Sequence, residues 1–404
     1  MKGAIMVAAK AQGRRPFAWR VALGIATIAV GALASQATIA LAPLSVDTGA
    51  QSSQQAVRVN PPRSLIVTAG GDILSEWAVR EAATKAGLAS GARFDFTPIF
   101  SGVRAIAESS DLAICHMELP IGWPNQAPGV YGRSPFGGNL LLAPFELATG
   151  VSANGFDRCS TASNHSYDLG TPGIVSTLEV LDAAGISHVG TARNPSEATP
   201  RVFIVKGIKV GHLSYTRYSN TVQPRDTWLQ NFASSPTPVA DDVTRLRNAG
   251  AEIVIVSLHL SQEMLTAPTA NDRNFATQLT AAADIDLVIH HGPHVVQPVE
   301  VVNGTLIYWS VGNMVSGMGV PGQGRYEDVR TLDGLMATVR FLETSSGAWM
   351  AQPFTVGVCT DPHTRLVRAA RLALSDPRAG LTDQTRLELE QCLTRTEWVV
   401  GPVR

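Results

Sequence analysis

The sequence predicts an α/β domain built on mixed sheet over residues 64–358, and three observations carry that prediction. From residue 64 onward, short apolar runs that read as buried parallel strands alternate with segments of helical spacing. Two of these runs, Val254-Ile255-Val256-Ser257-Leu258-His259 and Leu287-Val288-Ile289-His290-His291, end in histidine. After them the pattern turns to hairpins, which adds antiparallel strands to a parallel arrangement.

The first strand is Ser64-Leu65-Ile66-Val67-Thr68-Ala69, broken by Gly70-Gly71, with a helix over residues 74–89 after it. Leu112-Ala113-Ile114-Cys115 is the second. A Gly- and Pro-rich excursion over residues 121–138 and a helix over 144–153 lead into Arg158-Cys159-Ser160-Thr161-Ala162. The next helix, residues 173–184, ends at Gly185, which is placed as a C-cap. Ile186-Ser187-His188-Val189 follows, then a hairpin-like pair over 201–205 and 209–215 around Lys206-Gly207, and a polar loop to about residue 238. Helices over residues 241–248 and 271–283 precede the two strands that end in histidine. Asn303-Gly304 sets a tight turn between Val299-Glu300-Val301-Val302 and Leu306-Ile307-Tyr308-Trp309, and residues 336–342 and 349–358 add further strands. Residues 359–404 read as a helical extension, since 381–394 carry apolar residues at helical spacing.

The 404 residues hold 32 Lys and Arg against 33 Asp and Glu, for a net charge of −1. No basic patch of the size a nucleic acid needs is present, which excludes that partner. The N-terminus differs from the rest. Lys10, Arg14, Arg15 and Arg20 precede an apolar stretch over residues 21–34, the charge order of an export signal or signal anchor over residues 1–42. Arg14-Arg15-Pro16-Phe17 resembles a twin-arginine signature, so both the Sec and the twin-arginine routes are open. Cleavage at Ala32-Leu33-Ala34 or Ala40-Leu41-Ala42 and retention as an anchor are open as well. Residues 43–63 read as a tether, and no later segment approaches the roughly 20 apolar residues of a membrane helix. The expected location is the outer face of the cell membrane, with membrane contact through the N-terminal segment only. Of four cysteines, Cys359 and Cys392 could pair, their state being open from sequence, whereas Cys115 and Cys159 lie in apolar runs and are expected as buried free thiols.

Histidine placement is the chemical signal. His116, His165, His259, His290, His291 and His294 each follow an apolar strand-like run, and residues just past the C-terminal ends of such strands line the crevice where ligands bind. His188, His212 and His363 have duller settings. Imidazoles collected this way point to transition-metal chemistry.

Gly71-Asp72, Glu118-Leu119-Pro120, Ala162-Ser163-Asn164-His165 with Asp168-Leu169-Gly170, His259 with Glu263, His291-Gly292-Pro293-His294 and the run from Tyr308 to Asn313 occur in the order of the CapA family. That family is named for bacterial poly-γ-glutamate capsule synthesis, and the chain resembles it over about residues 65–341. The resemblance implies a calcineurin-like metallophosphatase sandwich of two mixed β-sheets flanked by helices. It also implies two divalent ions of the Mn, Fe or Zn type, held by Asp72, Glu118, Asn164, His259, His291 and His294. Mixed carboxylate, amide and imidazole donors suit such ions, and a pair roughly 3.5–4 Å apart suits hydrolysis. His165 is the expected general acid, with Asp168 fixing its tautomer. Glu263 is expected to orient His259 or to join the ligands.

Plainer readings stand beside these. Asp72 could cap a helix, Glu118 could be a loop charge, Asn164 could stabilise a turn, and Asp168-Leu169-Gly170 could be a turn before a helix. His290 replaces a small residue of the family pattern and reads as a satisfied core histidine, and Gly312-Asn313 as a turn closing the site floor. His116 stands where the family has Asn, which makes it a candidate added ligand, and Leu260-Ser261 replaces Trp-Gly. The expected activity is that of an exported hydrolase-like protein acting on an anionic polymer or precursor such as poly-γ-glutamate, with membrane-bound polymer synthase components as partners. A general metallophosphoesterase, with Arg133, Arg217 and Arg325 as candidate phosphate-binding cations, and a non-catalytic polymer-binding assembly factor are the alternatives.

Overall fold

The computed structural model describes residues 62–260, 262–322 and 324–401, with only the backbone given at 324 and 325. The export segment, the tether before Pro62, Ser261 and the Arg325 side chain lie outside the described residues. The strands in chain order are β1 (Ser64–Ile73), β2 (Leu112–Met117), β3 (Gly129–Arg133), β4 (Asn139–Leu142), β5 (Arg158–Ser160), β6 (Ser187–Val189), β7 (Val202–Val205), β8 (Ile208–Thr216), β9 (Ile253–His259), β10 (Leu287–His291), β11 (Val299–Val302), β12 (Thr305–Tyr308), β13 (Asn313–Val315), β14 (Asp333–Glu343), β15 (Trp349–Thr360) and β16 (Val367–Ala369).

One sheet has the order β16-β15-β14-β1-β2-β5-β6, with β13 beside the end of β1, and the other β11-β12-β10-β9-β8-β7. Both are mixed. In the first, β1, β2, β5 and β6 are parallel and β14 joins β1 antiparallel; in the second, β8, β9, β10 and β12 are parallel and β7 and β11 antiparallel. Leu65, Val67, Leu112 and Ile114 of the first sheet share one buried cluster with Ile253, Ile255, Leu287 and Ile289 of the second. A second cluster packs the outer face of the first sheet under helices Trp77–Ser90 and Gly170–Ala183, and a third packs the outer face of the second under Thr237–Asn248 and Ala270–Ala282. The architecture is therefore two mixed sheets face to face, flanked by helices.

Side chains alternate across a strand, and that alternation assigns the histidines. Ile253 and Ile255 face the opposite sheet, so Ser257 and His259 do too; Leu287 and Ile289 carry His291 to the same face and send His290 to the outer one. β1 changes partner along its length, pairing with β14 over Ser64 to Ala69 and with β13 at Asp72 and Ile73. Gly71 sits in the change, where a Cβ would lie 2.3 Å from the Gly312 carbonyl oxygen, closer than any side chain allows.

Several expectations are corrected. Cys115 and Cys159 are not free: β2 and β5 pair in register at these two residues, Cα atoms 4.5 Å apart, and the thiols are joined as a disulfide. Spacing in sequence carries no information on that register. Cys359 and Cys392, left open by the sequence, are joined as well. Two helices begin earlier than predicted, at Gly170 and Thr237, because Pro172 and Pro238 lie in the first turn, where a missing N–H leaves nothing unpaired. The Gly-rich excursion holds the β3–β4 hairpin. The tail also contributes a strand, β16 on β15, before helices Ala370–Ser375 and Asp383–Val400. Among the described residues no helix is long and apolar enough to cross a membrane.

Candidate metal centre

The C-terminal ends of β1 and β2 from one sheet meet those of β9 and β10 from the other, and the polar residues there collect in one buried cluster. Asp72, His116 and His291 form one group of ligand atoms within 4.8 Å of one another; His116, Glu118 and His259 form a second, and Asp72, Glu118 and His294 a third. All six residues are buried. Five of them were singled out as ligands from sequence. His116, an uncertain candidate there, joins two of the three groups.

Hydrogen bonds set the geometry. Asp72 accepts from His291 Nδ1 at 2.9 Å and from the Gly292 amide at 2.9 Å. Burial opposes its charge, but the hydrogen bonds from His291 and His294 outweigh burial and hold Asp72 well below the ordinary carboxylate range. With Nδ1 engaged, His291 has its Nε2 buried and without a partner. The His116 ring stacks on that of His291 with centroids 3.9 Å apart, and bridges Ser160 Oγ at 2.8 Å and His259 Nδ1 at 3.0 Å. Burial keeps His116 well below the usual histidine range and pushes His259 down to about 3, so both imidazoles are neutral and able to ligate. Gly292 lies against His259: a Cβ there would stand 2.9 Å from His259 Nε2 and 2.3 Å from the Leu260 carbonyl oxygen. His294 adopts φ 59°, a left-handed conformation costly for a non-glycine residue, which turns its ring toward Asn313 Oδ1 at 3.0 Å and Asp72 Oδ2 at 3.4 Å.

Two observations test whether cations fit. Both Glu118 carboxylate oxygens and Asn164 Oδ1 are buried without a hydrogen-bond partner, an arrangement costing several kcal/mol unless a cation or proton completes it. Burial, with Asp72 nearby, pushes Glu118 up to about 8. Burial also disfavours charge on His294, yet Glu118 and Asp72 override it and push that imidazole up to about 10. The cluster is short of positive charge, and its carboxylate, amide and imidazole donors suit Mn, Fe or Zn.

The remaining candidates lie around the cluster. His165 contacts Asp168 Oδ2 through Nδ1 at 2.6 Å. Burial again opposes protonation, and Asp168, by its charge and hydrogen bond, holds the His165 pKa above the ordinary value. Glu263 lines the cavity over the cluster and accepts from the Tyr326 hydroxyl at 3.1 Å, outside the ligand groups. His290 lies on the outer face of β10 with its ring 5.1 Å from that of Trp309, and is not part of the cluster. A cavity of about 640 Å³ opens over the site, lined by Glu76, Phe136, Tyr218 and Tyr326 beside the polar groups already named.

Asn220 was missed from sequence. Its Oδ1 accepts from Asn164 Nδ2 at 3.3 Å, and its Nδ2 lies 3.2 Å from both ring nitrogens of His165. It comes from the polar loop after β8, where composition shows only solvated chain. Glu76 was missed too; it lines the cavity and accepts from the Gly317 amide at 2.6 Å. Asn313, read as floor, also accepts from His294.

Comparison with known proteins places the chain in a family. The family described as bacterial capsule synthesis protein PGA_cap matches residues 66–318, more than half of the chain. The chain belongs to that family. Among curated relatives of this PGA_cap chain, the PGA biosynthesis protein CapA of Bacillus subtilis is 25% identical over 207 residues, 51% of this chain and 52% of that protein. The capsule biosynthesis protein CapA of Bacillus anthracis is 24% identical over 306 residues, 73% of this chain and 67% of that one. A probable polyglutamine synthesis accessory protein of Mycobacterium tuberculosis is 29% identical over 186 residues, 43% of this chain and 48% of its own length. The chain thus spans about half the length of the first and third of these relatives. Among solved structures, the calcineurin-like phosphoesterase YfkN of Bacillus subtilis aligns with a TM-score of 0.43 at 12% identity, over 84% of this chain and 99% of that one.

Proposed function

We propose that this PGA_cap protein is an exported, metal-dependent hydrolase acting on an anionic polymer of the poly-γ-glutamate kind or its precursor. The observation that carries the reading is the set of buried ligand atoms without partners: both Glu118 oxygens, Asn164 Oδ1 and His291 Nε2. Asp72, Glu118, Asn164, His259, His291 and His294 would hold two divalent ions, with His116 added to them or buttressing His259 and His291. Bound there, such ions polarise the reacting carbonyl or phosphoryl oxygen and generate a nucleophile from water at neutral pH.

The other duties fall to the chain's own side chains. His165 holds a proton for the leaving group at Nε2, because Nδ1 is tied to Asp168 at 2.6 Å. Asn220 is held on Asn164 through its backbone amide at 2.8 Å and its Oδ1 at 3.3 Å, and its Nδ2 stands 3.2 Å from His165 Nε2, where it donates once that nitrogen has given up its proton. The names of the Bacillus relatives support a capsule polymer as substrate class. Arg217 is committed to Asp272 at 3.0 Å, and Arg133 is exposed on β3. Export is supported by the N-terminal charge order and by two disulfides, which persist in oxidising compartments. The partners are then the polymer and membrane-bound components of its synthase.

The test pairs elemental analysis with a hydrolysis screen over γ-glutamyl amides and phosphoesters. Close to two Mn, Fe or Zn ions per chain and turnover of γ-glutamyl substrates are expected. A protein that takes up no metal on reconstitution loses the hydrolase reading. A loaded protein that turns over only phosphoesters is a general phosphoesterase, and one that turns over nothing while still supporting polymer formation is an assembly factor.

A further inference from the structure

A second polar cavity, of about 600 Å³, opens at the edge of the sandwich and shares no lining residue with the first. It lies where β6 ends one sheet and β7 and β8 end the other, lined by Val189, Thr191, Arg193, Arg201, Phe203 and Leu213 around Arg158. Arg158 opens β5, and two residues further along the same face Ser160 supports His116 of the metal cluster.

The Arg158 guanidinium is fixed on three sides by groups that carry no charge. Nε donates to His212 Nδ1 at 3.1 Å, Nη1 donates to Ser187 Oγ at 3.2 Å, and the plane lies over the Phe203 ring with its carbon 4.7 Å from the centroid. His212 is itself anchored through Nε2 to Ser257 Oγ at 3.0 Å. Burial and the neighbouring Arg158 keep His212 well below the usual histidine range, so it accepts as a neutral ring. Burial pulls the Arg158 pKa down to about 10, and no carboxylate restores it. Among the described residues its Nη2 has no hydrogen-bond partner. Three other partly buried arginines sit on carboxylates, Arg217 on Asp272, Arg247 on Asp286 and Arg395 on Asp333, while the buried Arg365 is held by the carbonyls of Ser316, Gly317 and Met318. An oriented, half-desolvated cation without a counter-charge is costly unless something completes it.

The cavity's charge count says what would complete it. Arg193 bridges Asp182 and Glu197, His188 is pushed down by burial, and Arg201 donates to the Ser196 carbonyl. Three arginines against two carboxylates leave one positive charge over. That matches a monoanion better than a phosphate dianion. The open Nη1–Nη2 edge of a guanidinium is the fork that receives a carboxylate through two parallel hydrogen bonds. Phe203, Val189 and Leu213 supply apolar wall for the methylenes behind such a group.

We propose that this edge cavity is a carboxylate-binding site, separate from the metal centre, that holds a glutamyl-type side chain or chain end on Arg158. The proposal stands whether or not the metal centre is catalytic. Calorimetric titration of the metal-free full chain tests it, with three probes: free L-glutamate, a γ-linked glutamate pentamer and inorganic phosphate. Saturable binding of at least one carboxylate probe is expected, and Arg158→Gln should weaken it at least tenfold. Tighter binding of the pentamer assigns the site to polymer; equal binding assigns it to free amino acid.

Because Arg158→Gln also removes contacts to His212 and Ser187, Ser187→Asp gives a second variant. Ser187 is exposed, and an Asp there supplies Arg158 with an internal carboxylate. Ser187→Asp should keep or raise the melting temperature while weakening the carboxylate probes at least tenfold, and Glu118→Gln should leave their binding unchanged. The proposal is overturned by no carboxylate binding to the parent protein, by binding that survives Ser187→Asp, or by phosphate binding more tightly than either carboxylate.

Discussion

Two polar layers lie between the sheets, one residue pair apart along the same strands, and they carry opposite charge imbalances. At the C-terminal ends, Ser160, His116 and His259 run into a cluster where Asp72 is fully engaged, both Glu118 oxygens lack a hydrogen-bond partner and His294 is pushed up to about 10. One step back, Arg158, His212 and Ser257 form a row with a cation and no acid. The strand register is common to both rows, since Arg158 and Ser160 are two apart on β5, as Ser257 and His259 are on β9. Alternation brings polar residues to the inter-sheet face, and their charge sets what each end would recruit: cations at one, an anion at the other.

The comparison predicts ligand effects that separate cleanly. Mn or Zn at about a hundredfold excess over its Kd should add roughly 2.7 kcal/mol of stability per site, read as a rise in melting temperature. Glu118→Gln should remove most of that rise and abolish turnover, while L-glutamate keeps its effect. Ser187→Asp should do the reverse. A single substitution that erases both responses would show that the two layers are one site. Next in size is His165→Ala, which should retain metal and lose about 10²–10⁴ in turnover, with rescue by a nitrophenolate leaving group that needs no proton. Metal loss in that variant would make His165 a ligand and move the proton donor elsewhere.

Much of the acidic end was legible in sequence because a period of two is local information. Once Ile255 and Ile289 are read as core, His259 and His291 follow to the same face, and His290 goes to the other. His116 was legible as a position but not as a cluster member, since its contacts with His259 and His291 span more than a hundred residues. The basic end was not legible. An arginine opening a short strand reads as solvated, and His212 reads as ordinary core, until the open edge between β6 and β8 is seen. Asn220 was hidden for a related reason: a polar loop shows nothing in composition, and its placement comes from Asn164, from the Ser134 hydroxyl donating to its carbonyl, and from its amide donating to the Asn164 carbonyl.

The two disulfides sharpen the same contrast at a smaller scale. Cys115–Cys159 joins β2 to β5, the strands that carry His116, Ser160 and Arg158, whereas Cys359–Cys392 ties β15 to helix Asp383–Val400, on elements that supply neither layer. Replacing either pair by alanine should cost about 2–4 kcal/mol in denaturant unfolding. Only loss of the first pair should also weaken metal and carboxylate binding together. Equal effects of both replacements on ligand affinity would mean that general stability, not local register, sets the two layers.

The smallest effect concerns Asn220, which touches both the proposed acid and a proposed ligand without belonging to the acidic cluster. Its amide spans Asn164 Nδ2 and the His165 ring, with contacts of 3.2–3.3 Å. A neutral hydrogen bond contributes about 0.5–1.5 kcal/mol net, so Asn220→Ala should lower turnover by roughly tenfold, leave metal content unchanged and cost little in stability. A nitrophenolate substrate should recover the lost rate, because the substitution loosens the proton donor and spares the nucleophile. If the loss instead equals that of His165→Ala and resists such rescue, Asn220 contacts substrate itself. If metal content falls, its role runs through Asn164, and the acidic layer extends one residue further into the loop than its buried strands define.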